Sequence, residues 1–332
     1  MTLSPVFRSQ DAVRLLEKHG VWTRLGSDVE AQAEAVRIVH ADLRTLIAEQ
    51  FLTEAPHVPS AAEAMTPEGL HFLQEYFFLI LFRSIFAAIG VPKARLTLYT
   101  ELNFCIKGTI TAADNIFDDQ AKTLLPLAPN TGARFMSILQ LMSFERLLRR
   151  TLERGRVKGI LNGTQCDAIQ RELLDRMALI GRLEGSEEEG VEEIARPEVM
   201  LDNVHRIRGG DLFALAFAAP KVLEKSGLSE KLSEAECAVA QLGTAFQIVD
   251  DLTDFEVDVD RRSNNLLVSQ IHHHGSEEEK ASLAKLRASE GVSDGLVESL
   301  FLNSAGSVLD IAYCEARAAF MGLADLGYWF DP

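Results

Sequence analysis

Apolar residues recur along this chain three and four positions apart, and no segment alternates apolar and polar residues as a half-buried strand does. A periodic segment runs from Ser27 to about Glu54, headed by Ser27-Asp28-Val29-Glu30, which has the form of a capping box. Thr66-Pro67-Glu68 sets an N-cap before a proline at the first helical position. Helical spacing continues over residues 92–122, 131–154, 164–182, 191–207, 212–225, 229–258 and 292–326, with Pro220 expected to kink one of these. Breakers fall at 126–132, 155–163, 185–190 and Gly209-Gly210, none of them long enough for an interdomain linker. The pattern predicts an all-α, single-domain bundle of long helices. Residues 65–332 form its body, and residues 1–64 are a helical extension packed on it.

Composition agrees with a folded globular chain: of 332 residues, 47% are hydrophobic and 25% charged. The most apolar stretch, residues 76–91, is interrupted by Arg83 and is shorter than the roughly 20 residues of a membrane helix, which predicts a buried core helix. Lys and Arg number 33 against 49 Asp and Glu, a net charge of −16, which argues against nucleic acid as a partner. Cys105, Cys166, Cys237 and Cys314 are scattered without a C-x-x-C pair, and the first residues lack the form of a signal peptide; both point to the cytoplasm. The runs Glu187-Glu188-Glu189 and Glu277-Glu278-Glu279 read as solvated segments, and His272-His273-His274 as surface histidines.

Two sets of acids stand apart because they interrupt apolar helices. In Asp114-Asn115-Ile116-Phe117-Asp118-Asp119, Asp114 and Asp118 are four apart and share a helix face. In Asp250-Asp251-Leu252-Thr253-Asp254-Phe255-Glu256-Val257-Asp258, residues Asp250, Asp254 and Asp258 form a stripe within an arc of about 80°. Like charges at this spacing do not help a helix. Carboxylates flanked by buried residues need a cation, and Mg²⁺, which takes oxygen ligands and is commonly shared with substrate phosphates, suits them.

These residues resemble the trans-isoprenyl diphosphate synthases (polyprenyl synthetases) and, more distantly, the class I terpene synthases. Asp114-Asn115-Ile116-Phe117-Asp118 is similar to the family's first D-D-x-x-D motif, and Phe246-Gln247-Ile248-Val249-Asp250-Asp251-Leu252-Thr253-Asp254 to its second. Arg208-Gly209-Gly210 stands ahead of the second motif where the family carries K-T-G. The resemblance spans roughly residues 65–330. It implies an isoprenoid synthase bundle around a central cavity, a homodimer, three Mg²⁺ ions and an allylic isoprenoid diphosphate as substrate. Asp114, Asp118, Asp250 and Asp254 would hold metal, with Asp119 and Asp258 as further ligands. Arg208 would grip the diphosphate, Gln247 would orient the ligands, and Gly209-Gly210 would break the helix. Arg261 and Arg262 would sit on a loop able to close over the substrate.

The chain departs from the family at the acceptor side. The G-G-K-R segment and the arginine pair after the first motif, which hold isopentenyl diphosphate, are not visible; only Lys122 follows Asp119 closely. The second position of the first motif is Asn115, an oxygen donor without charge. The first reading is a Mg²⁺-dependent prenyltransferase joining an allylic diphosphate to an isoprenoid acceptor, with isopentenyl diphosphate as a further partner if the chain elongates. The second is a class I terpene synthase, a lyase needing no second diphosphate. The third is a non-catalytic subunit of a prenyl synthase, against which the retained acids argue.

Overall fold

Helices dominate the computed structural model, which describes residues 15–117, 120–129, 132–224, 227–288 and 300–329. The one β-type pairing among these residues is an isolated bridge between Leu52 and Leu127. The long helices are α1 (Val21–Leu43), α2 (Leu70–Ala88), α3 (Lys93–Phe117), α4 (Ala133–Val157) and α5 (Gly163–Gly185). A π-helix follows at Leu201–Asp211, and then α6 (Ser229–Thr253), α7 (Phe255–Arg261), α8 (Leu266–His274), α9 (Glu277–Ala288) and α10 (Leu302–Asp325). Short helical turns at Ala61–Ala64, Pro197–Met200, Leu212–Ala214, Leu215–Phe217 and Ala218–Leu223 connect them. The chain divides into two compact units: Met1–Ile169 with Ala219–Leu228, and Gln170–Ala218 with Ser229–Pro332.

In the first unit, Phe104 of α3 packs edge-on against Tyr76 of α2 and Phe144 of α4. Gly108 permits this, since a Cβ there would fall 2.1 Å from the Phe144 ring. The apolar helix α2 is long and apolar enough to span a membrane, yet over half of its most apolar window is buried, as the Arg83 interruption predicts. Arg83 itself pairs with Asp28 of α1 in the interior, which offsets part of the cost of burying the two charges; burial still outweighs Arg83 and raises the Asp28 carboxyl. Arg154 of α4 likewise bridges Asp42 and Glu101.

The second unit closes around Val204, Ile248, Phe255, Leu266, Ile271, Phe301 and Val308. A close crossing joins the π-helix to α6. A Cβ on Gly209 would lie 2.3 Å from the Gly243 carbonyl, and a Cβ on Gly243 equally close to that of Gly209. Only glycine at both positions lets these backbones meet.

Several boundaries differ from the sequence expectations, for local reasons. Helix α1 begins at Val21, after Gly20 in a left-handed conformation, so Ser27 and Asp28 lie inside the helix and Asp28 serves Arg83. The helix stops at Leu43 instead of reaching Glu54. The capping box instead stands at Ser60, whose backbone N–H donates to Glu63 at 2.8 Å. The turn at Thr66-Pro67 delays α2 to Leu70. Helix begins at Pro197 within the 191–207 stretch. Gly209-Gly210 do not break the helix; they lie inside the π-helix and serve the close crossing. The 229–258 segment divides at Asp254, although Asp254 N still bonds Asp250 O and Asp258 N bonds Asp254 O, both at 2.9 Å. The four cysteines are free.

Candidate active site

The first acid set lies at the end of α3. Asp114 is half-buried, and helix α3 ends at Phe117; Asp118 and Asp119 lie outside the described residues. Asn115 is buried and turned to the returning chain: its Nδ2 donates to the Lys122 carbonyl at 2.7 Å, and its Oδ1 accepts the Lys122 N–H at 3.2 Å. Gln140 of α4 adds a second bond to the Lys122 carbonyl and accepts the Leu124 N–H. Thus Asn115 fixes the loop instead of presenting its oxygen outward.

The Lys122 ammonium pairs with Glu75 of α2 at 2.7 Å, and Lys107 of α3 pairs with the other Glu75 oxygen at 2.8 Å. Burial pushes the Lys107 ammonium below its ordinary value against the pull of Glu75. Burial would raise the Glu75 carboxyl, but the two ammonium groups outweigh it and hold it low. Glu75 and Lys107 escaped the sequence reading because helix α2 carries Glu75 as a single acid in an apolar run, without a motif.

The second acid set closes the second unit. Asp250 is half-buried and Asp254 exposed, while Asp251 points into the core. Asp251 accepts from His205 Nε2 at 2.7 Å, from the Leu266 N–H at 2.5 Å and from Gln247 Nε2 at 3.4 Å. Gln247 thus bonds Asp251, one turn on along α6. Asn265, fully buried, caps α8 through Oδ1 and donates Nδ2 to the Asp251 carbonyl and to Asp258. Burial pushes the Asp258 carboxyl well above the usual carboxylate range, and the charges of Asp251 and Asp254 push the same way.

Arg208, on the π-helix, donates Nε to Glu184 at 2.6 Å and Nη2 to Glu187 at 2.8 Å. Burial works against its charge, but Glu184 and Glu187 outweigh burial and hold it firmly protonated. Glu187, expected to be solvated, is buried because it is the counter-ion of Arg208 and an acceptor for Asn264. Arg261 and Arg262 are exposed at the end of α7, and the Arg262 carbonyl accepts the Val191 N–H at 2.8 Å. His273 bonds the Ile194 carbonyl at 2.9 Å. A sequence signal for His205 was its place three residues before Arg208 on one helix face; for Asn265, the N-cap preference before Leu266-Leu267-Val268.

Among the described residues, no three His, Cys, Asp or Glu side chains are grouped closely enough to hold a metal ion by themselves. The donors nevertheless suit Mg²⁺, which is commonly held by one or two carboxylates with water and substrate phosphate completing the octahedron. Asp250 and Asp254 offer hard oxygens one turn apart. Burial is the main reason the Asp258 carboxyl is raised, and the neighbouring charges of Asp251 and Asp254, which add to it, are ones a cation would offset.

No family model matches the sequence, and no curated protein matches it by sequence. Solved structures do match by fold. A polyprenyl synthase from Roseobacter denitrificans has a TM-score of 0.53 at 18% identity, over 90% of this chain and 93% of its own. A decaprenyl diphosphate synthase from Rhodobacter capsulatus has a TM-score of 0.56 at 18% identity, over 90% and 92%. A geranylgeranyl pyrophosphate synthetase from Pyrococcus horikoshii has a TM-score of 0.58 at 12% identity, over 93% of both chains. The chain therefore has the all-α fold of the prenyl diphosphate synthases, as the sequence resemblance implies.

Proposed function

We propose that this chain is a Mg²⁺-dependent prenyltransferase that ionises an allylic isoprenoid diphosphate and joins it to an isoprenoid acceptor. The observation that carries the reading is the second acid set, in which Asp251 is turned inward by His205 and Leu266 while its neighbour Asp250 and Asp254, one turn on, keep a more open position. The shared fold supports it. Asp114, Asp250 and Asp254 are proposed to hold Mg²⁺, three ions by the resemblance, with Asp118, Asp119 and Asp258 as further ligands. Bound there, the metal would stabilise charge on the leaving diphosphate as a Lewis acid.

Arg208, with its planar fork of donors, would bind diphosphate oxygens, and Arg261 and Arg262 would approach the same anion from the C-terminal end of α7. The allylic C–O bond breaks with both electrons going to diphosphate; the acceptor double bond attacks the carbocation, and a proton leaves the product cation. A homodimer in the cytoplasm goes with this reading, from the family resemblance and the scattered thiols.

One observation favours the lyase as a second reading. Lys107 and Lys122, the cations beside the first acid set, already share Glu75, so a second diphosphate would have to displace that carboxylate. Incubation with Mg²⁺ and geranyl, farnesyl or geranylgeranyl diphosphate, with and without isopentenyl diphosphate, separates the two. Longer diphosphates formed only with isopentenyl diphosphate establish the transferase; hydrocarbons or alcohols formed without it establish the lyase. Absence of diphosphate release in every combination rejects both.

A further inference from the structure

Arg208 is enclosed by carboxylates of its own unit. Its side chain is 15% exposed, Glu184 holds Nε at 2.6 Å, and Glu187, 6% exposed, holds Nη2 at 2.8 Å. Glu187 also accepts from the segment that follows Arg261-Arg262. Asn264 Nδ2 donates to Oε1 at 2.6 Å, and the Asn264 N–H donates to Oε2 at 2.9 Å. A second tie, from the Val191 N–H to the Arg262 carbonyl, holds the same two segments together. One buried carboxylate therefore touches both the arginine and the loop.

We propose that Glu187 is a positioning residue that couples Arg208 to the 262–265 loop, and that Glu184 and Glu187 act as internal competitors of the diphosphate for Arg208. The inference rests on the reading of Arg208 as a diphosphate ligand. An arginine cannot lose its charge, and a buried carboxylate left by its cation is poorly solvated, so capture of Arg208 by an incoming anion weakens the state in which Glu187 grips the loop. Anion binding and loop release are then linked: whatever favours one favours the other. The two carboxylates differ in this linkage. Glu184 and Glu187 both compete for Arg208, and Glu187 also tethers Asn264.

That difference makes the test specific. Binding of Mg²⁺-pyrophosphate to the full chain is measured by calorimetry, and backbone hydrogen exchange is followed in the peptide that carries Asn264. Removing one charged competitor should tighten pyrophosphate binding roughly tenfold in Glu184→Gln and in Glu187→Gln. In Glu187→Gln the loop exchanges roughly tenfold faster without ligand, and pyrophosphate accelerates the wild-type loop toward that rate. Equal or weaker binding in both variants, or a wild-type loop indifferent to pyrophosphate, overturns the proposal while the functional reading stands. Binding by Arg208→Gln as tight as by wild type removes Arg208 from the site and overturns it as well. If wild-type protein binds no pyrophosphate with Mg²⁺, the functional reading fails and the proposal with it. A purely structural Glu187 would not produce tighter binding on losing its charge.

Discussion

His205 Nε2 donates to Asp251 Oδ2 at 2.7 Å, with both side chains almost wholly buried. The other ring nitrogen faces the Met200 carbonyl at 3.2 Å. Both neighbours are acceptors, so the ring satisfies them only when it carries both protons. Burial opposes that charge, and Asp251 overcomes it and raises the imidazole above its ordinary value. The pair joins the π-helix to the end of α6 and keeps Asp251 away from the surface where Asp250 and Asp254 lie. His205→Ala would leave Asp251 buried without its cation, a loss of about 3 kcal/mol or more. Urea denaturation checks this; a midpoint within error of wild type rejects the pair as a stabilising element.

By the resemblance to the D-D-x-x-D motif, Asn115 takes the place of a second aspartate, and Asn115→Asp would complete that motif. The geometry predicts a cost instead of a gain. The Nδ2 group donates to the Lys122 carbonyl at 2.7 Å, and a carboxylate oxygen in its place would face that carbonyl without a proton between them. The expected cost is about 1 to 3 kcal/mol, with no gain in turnover. Thermal denaturation and a diphosphate-release assay measure the two; a variant that is both as stable and more active contradicts the assignment.

Much of the helical architecture was legible because each apolar face repeats with the helix period, and the acid stripes stood out because they break that pattern. What was hidden lay in long-range pairing. The run Glu187-Glu188-Glu189 looks solvated on its own; only the folding of the π-helix beside it brings Arg208 to Glu187. Asp28 looked like part of a capping box because its partner, Arg83, is remote in sequence. Gly209-Gly210 looked like a helix break because Gly243, whose carbonyl a Cβ on Gly209 would strike, lies on another helix. Local rules read spacing, and none of these three pairs has a local spacing.

His40 gives a pH dependence in the first unit. Its Nε2 donates to the Leu124 carbonyl at 3.0 Å, and Nδ1 is buried without a hydrogen-bond partner. Burial lowers the imidazole below its ordinary value, against the pull of the Leu124 carbonyl and with the help of Arg44. The unfolded chain therefore binds this proton more readily than the folded one. The stabilisation is fully present above about pH 6.5, and is lost as pH falls through the lower folded-state value. Unfolding free energy measured from pH 7.5 to pH 5 should fall more steeply in wild type than in His40→Gln. Parallel curves would assign the acid sensitivity to other groups.

Asp250 supplies the most direct test of the proposed chemistry, because its side chain is half-buried at the end of α6, next to the inward-turned Asp251. Thr253 Oγ1 donates at 2.9 Å to the Asp250 backbone carbonyl, a bond that survives truncation of the side chain. Asp250→Ala should therefore keep its helical circular dichroism. Loss of one carboxylate ligand to Mg²⁺ removes several kcal/mol of stabilisation from the leaving diphosphate, so turnover should drop at least about a thousandfold. Asp254→Ala, one turn on and exposed, should fall in the same direction. Isothermal titration with Mg²⁺ and pyrophosphate distinguishes this from misfolding, since both variants should remain folded yet bind the pair more weakly. Wild-type turnover in Asp250→Ala would remove the second acid set from the metal site.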